Sequence, residues 1–315
     1  MKKDIWMQLN RLFPFLGLIA IILIFTVVSG DRLWTAKNFL NIIAIMIPLA
    51  LGGGGMVFVV AQGGTDLSMG SSLALCGTIG GMLSIVCGSW IFIPVTVGMG
   101  VLVGLFAGTM VSKFKVSSLM VTLALMIALR AFVNYLTNDT VIFVDSFVLS
   151  LNRMEIKFPI FVGVMILFWY LFEYTKVGFY SRCMGENQTV SRFAGVSITK
   201  YQILAFILSG AAGGLCAVFT VGNLGGVAPT MGNFFELNVM IALFVGGIPV
   251  SGGSGARFYK VIVGALMLAF LQNGLTISMV SAEVIELIEG IILIGVVFFA
   301  LYAKERYIKR QIEKA

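Results

Sequence analysis

Four ionisable residues sit where this sequence is otherwise apolar: Asp66, Arg130, Glu236 and Glu289. The three carboxylates are far apart in the chain and form no acid/base pair. The sequence has no histidine, so neither a Ser/His/Asp nor a Cys/His nucleophile can be assembled. Its four cysteines, Cys76, Cys87, Cys183 and Cys216, form no CxxC pair. Without histidine or clustered thiols a zinc-type metal site is not expected. Buried cysteines of this kind are small hydrophobes. No segment reads GxxxxGK[ST], so the chain has no phosphate-cradling loop with which to hydrolyse ATP. These residues predict no enzyme, no metal and no cofactor. They do predict buried charge, which costs several kcal/mol in hydrocarbon and needs a reason. Asp66 stands beside Ser68, and Arg130 one turn before Asn134. Glu236 opens an apolar run, and Glu289 is the acid most clearly at depth.

The elements that carry these residues follow from composition. The 315 residues are 59% hydrophobic and 11% charged, with mean hydropathy +1.03. A water-soluble domain of this length carries more charge. Apolar runs long enough to cross about 30 Å of hydrocarbon recur along the chain. The strict alternation of an outer-membrane barrel is absent. The expectation is one all-α polytopic domain over 1–315, a transmembrane helix bundle of about ten spans. They are placed at 12–29, 39–61, 70–87, 91–112, 117–136, 158–174, 202–221, 236–249, 260–279 and 284–303. The first apolar run exceeds the 7–15 residues of a signal peptide and reads as a retained span.

Charge orients the bundle. With both termini cytoplasmic, sixteen of the 21 Lys and Arg residues fall inside. Only Arg32, Lys37, Arg153 and Lys157 fall outside, and Arg130 lies within a span. This is the positive-inside bias. The net charge of +7 therefore reports topology, and no basic stripe interleaved with aromatics suggests nucleic acid. Trp6, Trp34, Trp90 and Trp169 fall near span ends, where amphipathic rings settle.

Some spans are built for close approach. Gly100, Gly104 and Gly108 share one face, as do Gly77 with Gly81 and Gly210 with Gly214. Two spans read as broken. The second holds Pro48 and then Gly52–Gly55. The eighth is short and ends Gly246-Gly247-Ile248-Pro249. Paired interruptions at membrane depth point to a transport path; the path candidates are Gly53 and Gly54 of the glycine run, with Asn134 and Asn273 of two other spans. Residues 63–71, GGTDLSMGS, echo 246–254, GGIPVSGGS, at five of nine positions, a faint sign of duplication. The cytoplasmic loop 175–201 is long. Within it Val190, Phe193, Ala194 and Val196 give a short helix an apolar side, with Arg192 and Lys200 solvated. Such a helix either meets a partner or lies in the membrane interface.

At this loop the sequence resembles a known family. GENQTVSRFAGVSITKYQ is similar to the coupling segment of ribose-type permeases of ATP-binding-cassette importers, which reads like GGNxxAARxxGI. QGGTDLSMGS resembles that family's GGIDLSVGS, and MVTLALMIALRAF its TLGxxxxxRG. FELNVMIALFVGGIPVSGG resembles YELDAIAAVVLGGTSLxGG, and GALMLAFLQNGL resembles GALxLGxLNNGL. These blocks run in family order from about residue 39 to 303. The resemblance implies a sugar permease in a bacterial inner membrane, surrounded by lipid. Its expected partners are a second permease copy or paralogue, a cytoplasmic ATPase with two nucleotide-binding domains, and an extracytoplasmic binding protein. Carried over by position, Gly185, Glu186, Asn187, Arg192, Gly195 and Val196 face the ATPase. Gly63, Gly64, Asp66, Leu67, Ser68 and Gly70 form the second block. Departures stand at Ala131, Ser191, Asn238, Pro249 and Gln272, and bear on substrate and partner more than on fold. The rival is a stand-alone ion-coupled carrier working through Glu289. A non-transporting scaffold, and a nucleoside, autoinducer-like sugar or amino acid as solute, are further alternatives.

Overall fold

The computed structural model describes the backbone of residues 2–312 and the side chains of 14–299 and 302. The side chains of Lys2, Lys3, Trp6, Arg11, Lys304, Arg306, Lys309, Arg310 and Lys314, which carry part of the charge bias, lie outside the described residues. The helices are α1 (Lys2–Ser29), α2 (Ala36–Ala61), α3 (Met69–Cys87), α4 (Phe92–Lys113), α5 (Ser118–Thr137), α6 (Ser146–Ser150) and α7 (Met154–Tyr174). They continue with α8 (Lys176–Glu186), α9 (Gln188–Phe193), α10 (Ile198–Leu224), α11 (Phe235–Val245), α12 (Phe258–Ile277) and α13 (Ala282–Ile312). Two-residue strands β1 (Ile142–Phe143) and β2 (Gly226–Val227) pair antiparallel. Among the described residues, eight helical segments are long and apolar enough to cross a membrane. The architecture is an all-α polytopic bundle.

Its axis is α2. Every residue from Leu49 to Ala61 is buried, which explains why this span is apolar all round. The outer helices show the opposite: Met120, Ile127 and Tyr135 of α5, and Ile166 and Leu167 of α7, are exposed. Trp34, Trp90 and Trp169 are exposed too.

The second span is not broken. Helix α2 runs unbroken through Pro48 and the four glycines. The neighbours supply the side chains that the glycines lack. Val239 and Phe235 press on Gly52, Val261 and Leu243 on Gly53, Phe168 and Met165 on Gly54, and Ala212 on Gly55. The run is therefore a set of knobs-and-holes contacts at the centre of the bundle. The eighth span is short, as its sequence suggests. Helix α11 has 11 residues, about 16 Å of rise and half a bilayer. Because Gly52 touches Met69, Phe235 and Val239, the first residues of α3 and α11 meet beside the middle of α2. Lys157, expected in an outer loop, lies in the first turn of α7 and is buried.

Helices α4 and α10 approach backbone to backbone. A Cβ on Gly100 or Gly104 would overlap the carbonyls of Gly210 or Phe206, and one on Gly214 would sit 2.7 Å from the Thr96 oxygen. Overpacking such a seam costs about 1–3 kcal/mol. Gly104→Val is expected to lower the thermal midpoint of the detergent-purified protein accordingly. Gly163→Val, where a Cβ meets nothing within 4 Å, should leave it unchanged.

Candidate functional site

The basic loops gather at one end of the bundle, and the expected coupling segment is built into them. Thr175 caps α8 by accepting from Val177 N at 3.2 Å. Helix α8 is then fastened on three sides. Arg182 pairs with Glu173 at 2.9 Å and lies over the Phe172 ring at 4.9 Å. Gln62, just after α2, donates to Ser181 Oγ at 3.0 Å and to the Tyr201 carbonyl at 2.9 Å. Glu173 also accepts from Phe258 N at 2.8 Å, tying in the start of α12.

The end of α8 is a junction. Gly185 lies so close to α2 and to the 246–257 loop that a Cβ would overlap the Ala61 carbonyl and the Gly253 nitrogen. Gly253 N donates to Ala61 O at 2.9 Å. Glu186 accepts from Ser254 N at 2.7 Å and from Ser254 Oγ at 2.6 Å. Gly252 and Gly253 have φ of +71° and +94°, the left-handed region open to glycine. The two segments that echo each other in sequence touch here: a Cβ on Gly63 would stand 3.2 Å from the Ser251 carbonyl.

Beyond the junction the chain turns outward. Asn187 caps α9 through its side chain, accepting from Val190 N at 3.0 Å. Gly195, at φ +83°, and Val196, which donates to Ser191 O at 3.0 Å, close the turn. Phe193 is 86% exposed and Val190 62%, so the apolar side of α9 is uncovered among the described residues. Arg192 lines a cavity of about 390 Å³ with Gly63, Gly64, Lys115 and Gln188. The coupling residues and part of the second block thus converge at one end.

The rest of the second block has a different duty. Asp66 is buried, accepts from Ser68 N at 3.0 Å and Ser68 Oγ at 2.7 Å, and from Ser209 Oγ of α10 at 2.6 Å. It closes the turn into α3 and ties that turn to α10. Leu67 stands between them in the turn. Gly70 admits the Glu236 carboxylate and the Gly232 carbonyl, which a Cβ would strike. Arg130 donates to the carbonyls of Pro229 and Met231 at 2.9 and 2.7 Å, beside the loop that leads into α11. Sequence reasoning singled out Arg130 and Glu236 but could not join them, because 106 positions separate them.

The path candidates do not come together. Gly53 and Gly54 pack in the bundle centre. Asn273 is buried and donates to Asn38 Oδ1 at 2.9 Å. Asn134 lies on α5. Both Asn134 and Asn273 keep an amide oxygen buried without a partner. At the end opposite the basic loops a separate cavity of about 300 Å³ lies among α2, α7, α10, α11 and α12. Sequence reasoning missed it, although it had marked two of its residues, Asn238 and Gln272, as departures. Among the described residues no three His, Cys, Asp or Glu side chains converge to hold a metal.

The described residues form a polytopic helix bundle with one half-length helix and an exposed apolar knob at its basic end. The chain belongs to the family described as branched-chain amino acid transport system / permease component, whose profile matches residues 38–297. It is 32% identical over 279 residues to the ribose import permease protein of Haemophilus influenzae, covering 85% of this chain and 86% of that one. It is 28% identical over 291 residues to the ribose import permease of Escherichia coli strain K12, with 88% and 90% covered. With the L-arabinose transport system permease of that strain the identity is 26% over 306 residues, with 94% and 93% covered. No solved structure matches the chain.

A hydrogen bond to a charged group contributes about 1.5–3 kcal/mol. Glu186→Ala is therefore expected to speed amide exchange at Ser254 by about tenfold or more, read by hydrogen–deuterium exchange. Exchange in the centre of α2 should be unchanged, and Glu186→Gln should restore most of the protection.

Proposed function

We propose that this chain is the membrane permease of an ATP-driven importer that carries a sugar into a bacterial cytoplasm across the inner membrane. Support comes from its family and from relatives named for ribose and L-arabinose import. The single observation that carries the coupling role is the α8–α9 unit. Its root is locked into α2 and the 246–257 loop, while its tip exposes Phe193 and Val190. A lever needs that division: a rigid root and a free apolar knob. Gly185 and Glu186 form the root, Asn187 starts the tip, and Arg192, Gly195 and Val196 shape it for the ATPase.

The proposed topology has ten crossings with both termini inside, with α11 and the 246–257 loop together making the eighth. The proposed partners are an ATPase with two nucleotide-binding domains, a second permease copy or paralogue, and an extracytoplasmic binding protein. The ATPase closes on ATP, pushes the tip of α9, and the junction passes that displacement to the inner ends of α2, α3 and α12. The paired subunits then open alternately to the two sides. Asn134 and Asn273 stand as path candidates through their unpartnered amide oxygens. The ion-coupled rival needs an available carboxylate at depth, and Glu289 instead accepts from Gln272 Nε2 at 2.7 Å.

The test is capture of a purified two-domain ATPase on immobilised permease, with uptake in vesicles alongside. Phe193→Asp is expected to cut capture and ATP-driven uptake by about tenfold or more, the loss typical of a central aromatic contact. Its thermal midpoint should hold, because the ring touches little within the chain. ATP-independent uphill uptake by the permease alone would overturn the proposal.

A further inference from the structure

The cavity at the end opposite the basic loops has a composition that packing does not explain. Its mouth is marked by Asn223, exposed in the last turn of α10. Its inner walls are Pro48 of α2, Phe219 of α10 and Phe235 of α11. Below Phe235 the space ends, because Gly52 is pressed by Phe235, Val239 and Met69. The cavity therefore reaches to the middle of α2 and stops at the layer closed by the glycine run.

The polar groups on its wall are incompletely used. Lys157 is buried, and its one hydrogen-bond partner among the described residues is Asn152 Oδ1 at 3.1 Å. Two of its three N–H groups are left over. Its charge also lies 5.7 Å from the centre of the Phe219 ring, a favourable face for a cation. Asn223 accepts from Asn152 Nδ2 at 3.2 Å, which leaves its own NH₂ free. Gln272 commits its NH₂ to Glu289 at 2.7 Å, which leaves its amide oxygen as an acceptor. The side chain of Asn238 has no partner among the described residues. One wall thus offers unpartnered donors and unpartnered acceptors side by side.

That mixture selects a ligand class. An anion uses donors only, such as Lys157 and the Asn223 NH₂, and would leave the acceptor oxygen of Gln272 unused. A hydroxyl donates and accepts at once, so a ring bearing several hydroxyls matches both kinds of group. The rings of Phe219 and Phe235 provide the flat apolar surface on which C–H faces of such a molecule rest. A volume of about 300 Å³ is at the low end of ligand pockets and suits one ring, not a chain of them. Asn238 and Gln272 add a second, independent sign. They are two of the positions where this sequence departs from the ribose-type pattern, and they face the same space.

We propose that this cavity is the outer station at which a neutral, single-ring polyol enters the membrane, and that Asn238 and Gln272 decide which polyol passes. Delivery by a binding protein makes tight capture here unnecessary, so the station works by selection at low affinity. The proposal rests on the importer reading of the previous section.

The test uses the complete transporter, permease with ATPase and binding protein, in vesicles. Initial ATP-driven uptake rates are measured for radiolabelled D-ribose, L-arabinose, D-fructose and the anion D-gluconate. Gln272→Asn and Asn238→Asp, which restore the ribose-type residues, are expected to change the ratio of rates among the neutral sugars by about tenfold, the span that pocket contacts of this size supply. ATPase capture and binding-protein-stimulated ATP hydrolysis should stay near wild type. Ala44→Trp, which fills the cavity from α2, should abolish uptake while leaving stimulated hydrolysis. Unchanged ratios together with wild-type uptake by Ala44→Trp would overturn the station and leave the importer standing. Wild-type preference for gluconate would overturn the neutral-polyol assignment. Failure of the wild type to couple ATP to any uptake would overturn the importer itself, and the station with it.

Discussion

The approach of Gly185 to the Ala61 carbonyl and the Gly253 nitrogen is the contact on which the rest of the bundle's basic end depends. It brings three chain segments into main-chain contact at one point. No side chain could intervene there without pushing α8 away from the bundle. The Glu186 carboxylate then fixes the contact by accepting twice from Ser254. Neither feature suffices alone. Close approach without the carboxylate would leave the 246–257 loop free to slide, and the carboxylate without the glycine could not reach. Movement of α8 must therefore move the inner end of α2 and the loop into α12 together.

Helix α2 converts that local contact into a global one. It is buried along its inner half, and its glycines are filled by side chains from α7, α10, α11 and α12. A displaced inner end is felt by all four neighbours, because close-packed helices have no slack to absorb it. At the level of Gly52 the starts of α3 and α11 join the same layer. There Asp66 is satisfied by serine hydroxyls, and Glu236 lies against Gly70 near Arg130. Buried charges this close to helix N-termini are stabilised by the exposed N–H groups and the helix dipole. The buried charges here have a structural duty: they hold the first turns of α3 and α11 beside the middle of α2.

On one side of that layer lies the cavity of about 300 Å³, and at the basic end lies the cavity of about 390 Å³ lined by Lys115 and Arg192. The closed layer is made of contacts between glycines and large side chains, not of hydrogen bonds. Such contacts can separate and re-form without leaving polar backbone unsatisfied in hydrocarbon. The tie from α8 to α2 at Ala61 joins the basic end to the helix that carries this layer at Gly52.

The sequence by itself determined the class of the molecule. Apolar run lengths and the distribution of Lys and Arg require a multi-span helix bundle, because hydrocarbon allows few other forms. The local form of the 185–196 segment was legible too, since capping by Asn187 and the turn at Gly195 depend on near neighbours in the chain. Asp66 with Ser68 was legible for the same reason. What lay beyond reach depended on distant partners. Pro48 and Gly52–Gly55 read as a break, yet α2 is continuous, because neighbours far along the chain, from Met165 to Val261, fill the space. Lys157 read as an outer-loop charge, yet burial against Phe219 and Asn152 places it in a cavity wall. Asn238 and Gln272 were isolated departures until folding set them on one surface. Periodicity and charge are properties of the chain, but a cavity is a property of the space between chains of contacts, and only tertiary packing defines it.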